Sequence, residues 1–220
     1  MITTFTSDHF ETYQKCPMAY YYKYKKGIRF ALAKDTYKLG RSIHSLVDYK
    51  LRGLDLGKIE KDLDENTLRH WQNLEDDALL DLEVVCTEWG FDVPLFDNIW
   101  LNGRIDAVFK DGDNYIIADW KTGPRLPLDP DDKYQAMIYM LAFYKAQKDL
   151  GLDFEPENLR FVFVGTNKFG DKKEISCSKE KLLEIEKILV SMASQIEEAK
   201  EFAVNKKNCK FCDFANICSG

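Results

Sequence analysis

Residues 99–121 read IWLNGRIDAVFKDGDNYIIADWK, two β-branched and aromatic runs separated by KDGDN. Asp-Gly between two such runs is a strong signal for a tight hairpin, so this stretch dictates an antiparallel strand pair at the centre of a sheet. Side chains alternate faces along a strand, which puts Asp119 and Lys121 on one face and Trp120 on the other. Taken alone, the pair suits an exposed ion pair at a strand end. The hairpin, however, can bring Asp106 near Asp119 at the end away from the turn. Two carboxylates in a half-buried sheet are costly unless they share a cation, and hard oxygen ligands suit Mg²⁺ or Mn²⁺. A lysine beside such a cation can orient water or neutralise charge developing on a phosphate.

The rest of the chain supplies an α/β frame for that hairpin. A first helix is expected after Thr6 or Ser7, carrying Phe10, Tyr13 and Cys16 before Pro17 restarts the chain. Residues 38–51 form a second, with Leu39, Ile43, Leu46 and Val47 on one face and His44 beside that stripe. Residues 66–82 read as one acidic amphipathic helix covering the body of the protein. Strands are expected at 84–93, 99–109 and 114–120, a helix at 132–150, a strand pair at 159–166 and 172–178, and a long amphipathic helix at 178–202. No repeat or linker interrupts the 220 residues, so one domain with a C-terminal appendage is expected. With 45% hydrophobic and 13% aromatic residues the chain can bury a core. It holds no apolar run of membrane-spanning length, and its start, MITTFTSDHF, lacks the regions of a signal peptide. A cytoplasmic protein with no membrane association is expected.

Thirty-seven acidic against 31 basic residues, a net charge of −6, argue against a nonspecific basic coat. The charge is segregated. Residues 12–34 contain no acid, and there Lys23, Lys25, Lys26 and Arg29 interleave with Tyr20, Tyr21, Tyr22 and Tyr24. Residues 55–88 are crowded with carboxylates. The basic and aromatic stretch suits a groove for single-stranded nucleic acid, where charge follows the backbone and rings stack on bases. It equally suits a helix whose tyrosines pack inward while its lysines are solvated.

"GRIDAVF" followed by "IIADWKTG" resembles the D…(D/E)xK core of the PD-(D/E)XK nucleases, and the "DWKTG" form is most similar to their RecB-type branch. Gln135 and Tyr139 in "QAMIY" match that branch's Q-x-x-x-Y motif, and His44 in "LGRSIHSLVDY" matches its upstream histidine. The resemblance implies a restriction-endonuclease-like mixed sheet flanked by helices. It also implies a metal-dependent deoxyribonuclease, acting on single strands or free ends in repair, recombination or defence. Asp106, Asp119, His44 and the Trp120 carbonyl would hold the divalent metal, Lys121 would assist the attacking water, and Gln135 and Tyr139 would position the lysine or the DNA backbone. A nonenzymatic adaptor that docks to a helicase or integrase is the competing reading, against which the intact Asp106, Asp119 and Lys121 set argues.

Six cysteines occur, three of them as C-x₂-C-x₅-C at 209, 212 and 218. The spacing suits zinc or an iron–sulfur cluster, and either needs a fourth ligand. Cys16, before Pro17, resembles the N-terminal cysteine of the iron–sulfur RecB-type nucleases, which include AddAB-type nuclease domains and CRISPR-adaptation nucleases. That resemblance implies a structural [4Fe–4S] cluster on Cys16, Cys209, Cys212 and Cys218, clipping segments 1–36 and 204–220 together. Cys86 and Cys177, in strand-like apolar settings, are expected to be inert core thiols.

Overall fold

The structure, a computed structural model, describes residues 2–30 and 37–218. Residues 31–36 and 219–220, which belong to the two segments expected to be clipped, lie outside the described residues. In chain order the elements are β1 (Thr3–Phe5), α1 (Ser7–Lys15), α2 (Pro17–Tyr20), one π-helical turn (Tyr21–Lys25), α3 (Lys38–Leu51) and α4 (Glu65–Gln72). Then follow β2 (Glu83–Phe96), β3 (Ile99–Asp111), β4 (Asn114–Lys121), α5 (Tyr134–Ala146), β5 (Leu159–Gly165), β6 (Asp171–Ser176) and α6 (Lys179–Glu198).

The strands form one mixed sheet with the order β1-β3-β4-β5-β6, and β2 pairs with β3. The β3–β4 hairpin turns at Asp111 and Asn114 as the sequence requires, and β4 then pairs in parallel with β5 through the crossover helix α5. Helices cover both faces. Phe10 of α1, almost all of α5, and Leu182, Ile185 and Leu189 of α6 pack on one side. Ile43, Leu46 and Val47 of α3 and Trp71 of α4 pack on the other. A strand sandwiched in this way has no solvent face, which explains why Tyr115 to Trp120 are all buried rather than alternating.

Residues 66–82 depart from the expected single helix. The helix ends at Gln72, and a short 3₁₀ turn covers Ala78–Asp81. The cause is the buried carboxylate of Asp77, which accepts from the Leu79 N–H at 2.9 Å and pairs with Lys172 of β6 at 2.7 Å. A helix through 77 would forfeit both bonds. The short β1, which no alternation announces, pairs in parallel with Ile99–Leu101 of β3.

Candidate active site

The site forms where β3 lacks a neighbour. Strand β2 follows β3 along one edge for almost its whole length, while the other edge is shared by β1 at residues 99–101 and by β4 at residues 107–111. Residues 102–106 face the gap between them. Side-chain alternation also slips there, since Leu101 and Ile105 pack toward α5 while Ala107 and Phe109 pack toward α3. Across the ladder, Glu88 of β2 lies between the pairs Thr87↔Ala107 and Trp89↔Ile105 with φ at +47°. A left-handed conformation costs a side-chain-bearing residue about 1–2 kcal/mol, so this kink is locally strained.

At the gap, Asp106 and the end of β4 close on each other. Oδ2 of Asp106 accepts the backbone N–H of Trp120 at 3.1 Å, a hydrogen bond that replaces the missing ladder. From α3, His44 places Nδ1 3.3 Å from Asp106 Oδ1 and Nε2 3.1 Å from the Trp120 carbonyl. Both ring nitrogens therefore face acceptors. Burial pulls His44 down, yet the Asp106 bond and the charges of Asp106 and Asp119 outweigh it, and the net shift is upward.

Asp119, 2% exposed, points to the α5 side with Lys121 beside it, and Trp120 is buried on the opposite face, the alternation expected of a strand. The Lys121 ammonium lies 2.7 Å from Asp119 Oδ2 and donates to Gln135 Oε1 at 2.7 Å. Gln135 Nε2 donates to Asp119 Oδ1 at 2.5 Å and to the Tyr139 hydroxyl at 3.3 Å. Burial first, and the charge of Asp106 second, push the Asp119 carboxyl up to about 6 against the pull of Lys121. Burial likewise pushes the Tyr139 phenol up to about 12, so it stays neutral. Gly103 makes room for that ring: a Cβ there would fall 3.0 Å from Tyr139 Cε1 and 2.6 Å from Phe91 Cζ.

Sequence reasoning missed Glu88. Ligand atoms of His44, Glu88 and Asp106 all lie within 4.8 Å of one another, and Arg104 Nε holds Glu88 at 2.9 Å. Burial raises the Glu88 carboxyl above its ordinary value. A single acid inside "VVCTEWGF" carries no motif, and only its backbone kink aims it at the site. His44 and Glu88 open on a groove of about 590 Å³ that Tyr37, Arg41, Asp48 and Arg104 also line.

The donor set fits a divalent metal. Among the described residues, Asp119 Oδ2 is the one buried side-chain nitrogen or oxygen without a hydrogen bond of good geometry, and its partner is the Lys121 ammonium at 2.7 Å. That oxygen retains a lone pair that a metal ion could share. Carboxylate and carbonyl oxygens with one imidazole are the ligands that Mg²⁺ and Mn²⁺ take.

Cys16, Cys209, Cys212 and Cys218 line one pocket of about 220 Å³. All four thiols are free, and among the described residues no three of them come within 4.8 Å of one another. The two chain ends meet here through the Asn205 N–H to Cys16 Sγ at 3.3 Å and the Asn205 and Asn208 side-chain amides to the Lys15 carbonyl at 2.9 and 2.6 Å. Cys86 and Cys177 lie apart, and burial pushes each thiol up to about 11, which suits inert core thiols.

The basic stretch divides. Lys23 pairs with Asp8 at 2.5 Å and Lys25 with Glu197 at 3.7 Å, while Lys26 sits over the Tyr21 ring. Lys23 and Arg29 line a groove of about 550 Å³ with Lys15, Tyr24, Phe30 and Tyr37. Tyr20 is buried in the core, whereas Tyr22 stacks on Phe214 beside the cysteines. Tyr37 borders both this groove and the one that His44, Glu88 and Arg104 line.

No curated protein matches the chain. Among solved structures, a protein from Eubacterium rectale described as a "Putative exonuclease" is similar in fold, with a TM-score of 0.59 and 12% identity over 98% of this chain and 88% of its own. The crystal structure of SSO0001 gives a TM-score of 0.48 at 18% identity, over 98% and 85% of the two chains. The family model of the PD-(D/E)XK nuclease superfamily matches residues 4–90 and 58–219. That match spans the sheet, the helices that flank it and the cluster of Asp106, Asp119 and Lys121, and the chain belongs to the PD-(D/E)XK nuclease superfamily.

Proposed function

We propose that residues 1–220 act as one cytoplasmic, metal-dependent deoxyribonuclease that hydrolyses phosphodiester bonds in single-stranded DNA or at DNA ends. The observation that carries this reading is the convergence of Asp106, Asp119, Lys121, His44 and Gln135 from four separate elements on the end of β4, where Asp106 and His44 grip the Trp120 backbone and Lys121 and Gln135 engage the Asp119 carboxylate. Asp106, Asp119, the Trp120 carbonyl and His44 would hold Mg²⁺ or Mn²⁺, with Glu88 at hand as a further oxygen donor. The bound ion supplies activation of water and neutralisation of phosphate charge. Lys121, oriented by Gln135, holds an ammonium where a water and a phosphate oxygen would meet, and Tyr139 fixes the Gln135 amide. Arg41 and Arg104 line the groove where a strand's phosphates would lie.

We further infer that Cys16, Cys209, Cys212 and Cys218 hold a [4Fe–4S] cluster of structural role, as in the RecB-type branch. Four free thiols drawn from both chain ends around one pocket support it. The test of the enzyme is anaerobic digestion of end-labelled single- and double-stranded DNA with Mg²⁺ or Mn²⁺, comparing the wild type with Asp119→Asn. Cleavage by the wild type alone is the expected result, and equal cleavage by both would remove the assignment.

A further inference from the structure

The strand end that carries Asp119, the Trp120 carbonyl and Lys121 is poorly anchored by the sheet itself. Its ladder with β3 stops at the pair Ala107↔Ala118, so on that edge two side chains stand in for the sheet, Asp106 at the Trp120 N–H and His44 at the Trp120 carbonyl. The opposite edge pairs with β5 as far as Lys121↔Gly165. One residue later, Thr166 continues the contact. Its backbone N–H donates to the Lys121 carbonyl at 3.0 Å, and its hydroxyl reaches the same oxygen at 3.4 Å.

Thr166 is fully buried and is gripped from the other side of the molecule. His70 of α4, 3% exposed, places Nδ1 2.7 Å from the Thr166 hydroxyl, and the Asn73 side-chain amide donates to the Thr166 carbonyl at 3.2 Å. Burial holds His70 below the ordinary histidine value, so it is neutral and has one donor and one acceptor nitrogen. His70 Nδ1 and the Thr166 hydroxyl share a short hydrogen bond at 2.7 Å, and the same hydroxyl lies 3.4 Å from the Lys121 carbonyl, so the imidazole sets where that hydroxyl sits. The packing of α4 does not require these polar groups, because Trp71 and Leu74, each 1% exposed, already seat this segment on the sheet. A buried hydroxyl and imidazole contribute orientation where apolar groups of the same shape would pack as well.

We propose that His70 and Thr166 are positioning residues for Lys121: a buried clasp that fixes the Lys121 backbone where β3 no longer does, and so sets the reach of its ammonium to the Asp119 and Gln135 partners. This rests on the nuclease reading above. A displacement of about 1 Å at a reacting group can lower a rate a hundredfold, so a small loosening of the strand end is expected to show in catalysis before it shows in folding.

The experiment compares Thr166→Val, Thr166→Ser, His70→Leu and the Thr166→Val/His70→Leu double variant with wild-type protein, using a single-stranded oligonucleotide and Mn²⁺. Thr166→Val is expected to lower kcat by about tenfold to a hundredfold with KM and calorimetric Mn²⁺ affinity unchanged. Thr166→Ser, which keeps the hydroxyl, restores most of the rate. His70→Leu reproduces the loss, and the double variant is no worse than the more impaired single, because both act through one bond. Full kcat in Thr166→Val, an additive double variant, or a serine no better than valine overturns the proposal. Amide exchange in metal-free protein gives a readout independent of cleavage: faster exchange confined to residues 119–122 supports the clasp, and unchanged exchange there refutes it. Should Thr166→Val fail to fold, His70→Gln decides on the same two measurements. Wild-type protein that cleaves no DNA under any metal would remove the nuclease reading, while the exchange measurement still judges the clasp.

Discussion

The carboxylate site and the cysteine pocket each gather side chains from distant parts of the chain, but they are held together differently. At the carboxylate site every charged group has a protein counterpart: Lys121 and Gln135 for Asp119, His44 for Asp106, Arg104 for Glu88. The imidazole and the ammonium occupy the electrostatic role of a cation, so this arrangement can fold before any metal arrives. At the cysteine pocket the thiols are joined by no disulfide, and the chain ends meet through uncharged contacts: the Asn205 and Asn208 bonds, the Met18 N–H to the Ala203 carbonyl at 3.1 Å and the Tyr22 ring stacked on Phe214. On the proposed reading the metal at the first site would serve chemistry, and the cluster at the second would join the chain ends. Metal removal should therefore abolish function at the first and lower stability at the second.

The largest effect that separates the two is catalytic. Asp119→Asn and Lys121→Ala should each lower cleavage by about 10²–10⁴-fold, the range expected for losing a group that stabilises charge or moves a proton in the transition state. Neither should unfold the protein. Asp119→Asn is in fact expected to raise the melting temperature in chelator at pH 7. A carboxyl lifted to about 6 in the fold favours its protonated form, so the ionised group opposes folding as pH rises through that value, and asparagine removes that opposition. A melting temperature lowered by the substitution would show that the Lys121 pair outweighs burial.

Next in size is the response of the cysteines. Cys16→Ser or Cys212→Ser should bleach the visible absorption of anaerobically purified protein and lower its melting temperature by about 5 °C or more, since 1 kcal/mol corresponds to roughly 2–4 °C in a domain of this size. Cys86→Ser should keep the colour. Colourless wild-type protein with stoichiometric zinc would replace the cluster with a different metal and leave the comparison of the two sites standing.

The strand pair that carries Asp106, Asp119 and Lys121 is legible because its signals are local. An Asp-Gly turn and the period-two alternation fix which face Asp119 and Lys121 share, and the helical spacing of Gln135 and Tyr139 puts both on one face of α5. Asp106 could be placed near Asp119 by counting back from the turn. What could not be read depends on non-local geometry. Glu88 reaches the site through a left-handed residue opposite Asp106, and no pattern in β2 signals it. The break at Asp77 follows from a partner, Lys172, that lies 95 residues away. Thr166 and His70 meet only because β5 lies next to β4. The basic stretch is continuous in sequence, yet backbone direction sends Lys23 and Arg29 to one groove, Lys25 to Glu197 and Lys26 to the Tyr21 ring.

A smaller expected effect probes how tightly the core supports the catalytic helix. Gly103→Ala inserts a Cβ 2.6 Å from Phe91 and 3.0 Å from Tyr139, closer than carbon atoms tolerate, so those rings must move. Overpacking of this kind costs about 1–3 kcal/mol, and the shift of Tyr139 should loosen its bond to Gln135. Chemical denaturation should register the first consequence and a several-fold fall in kcat the second. A variant with wild-type stability and rate would mean that Phe91 gives way alone and Tyr139 is not held by this contact.

The smallest effect concerns the groove that joins the two regions. Tyr37 borders the groove at His44, Glu88 and Arg104 and also the groove that contains Lys15, Lys23 and Arg29, which Cys16, Cys212 and Phe214 also line. A single strand leaving the catalytic site along that line would pass Tyr37 and Phe30 and place phosphates beside Lys15 and Arg29. Lys25 and Lys26 lie off that line, engaged with Glu197 and Tyr21. Each phosphate contact to single-stranded DNA contributes about 0.7 to the slope of log K against log salt, because one condensed counterion is released. Lys15→Gln and Arg29→Gln, each in metal-free protein so that the strand is bound and not cut, should therefore reduce that slope by about 0.7, and Lys25→Gln should leave it unchanged. Fluorescence anisotropy of a labelled oligonucleotide between low and moderate salt measures all three. Equal reductions in all three variants would assign the effect to diffuse charge over the N-terminal segment, and unchanged slopes for Lys15→Gln and Arg29→Gln would move the strand out of this groove.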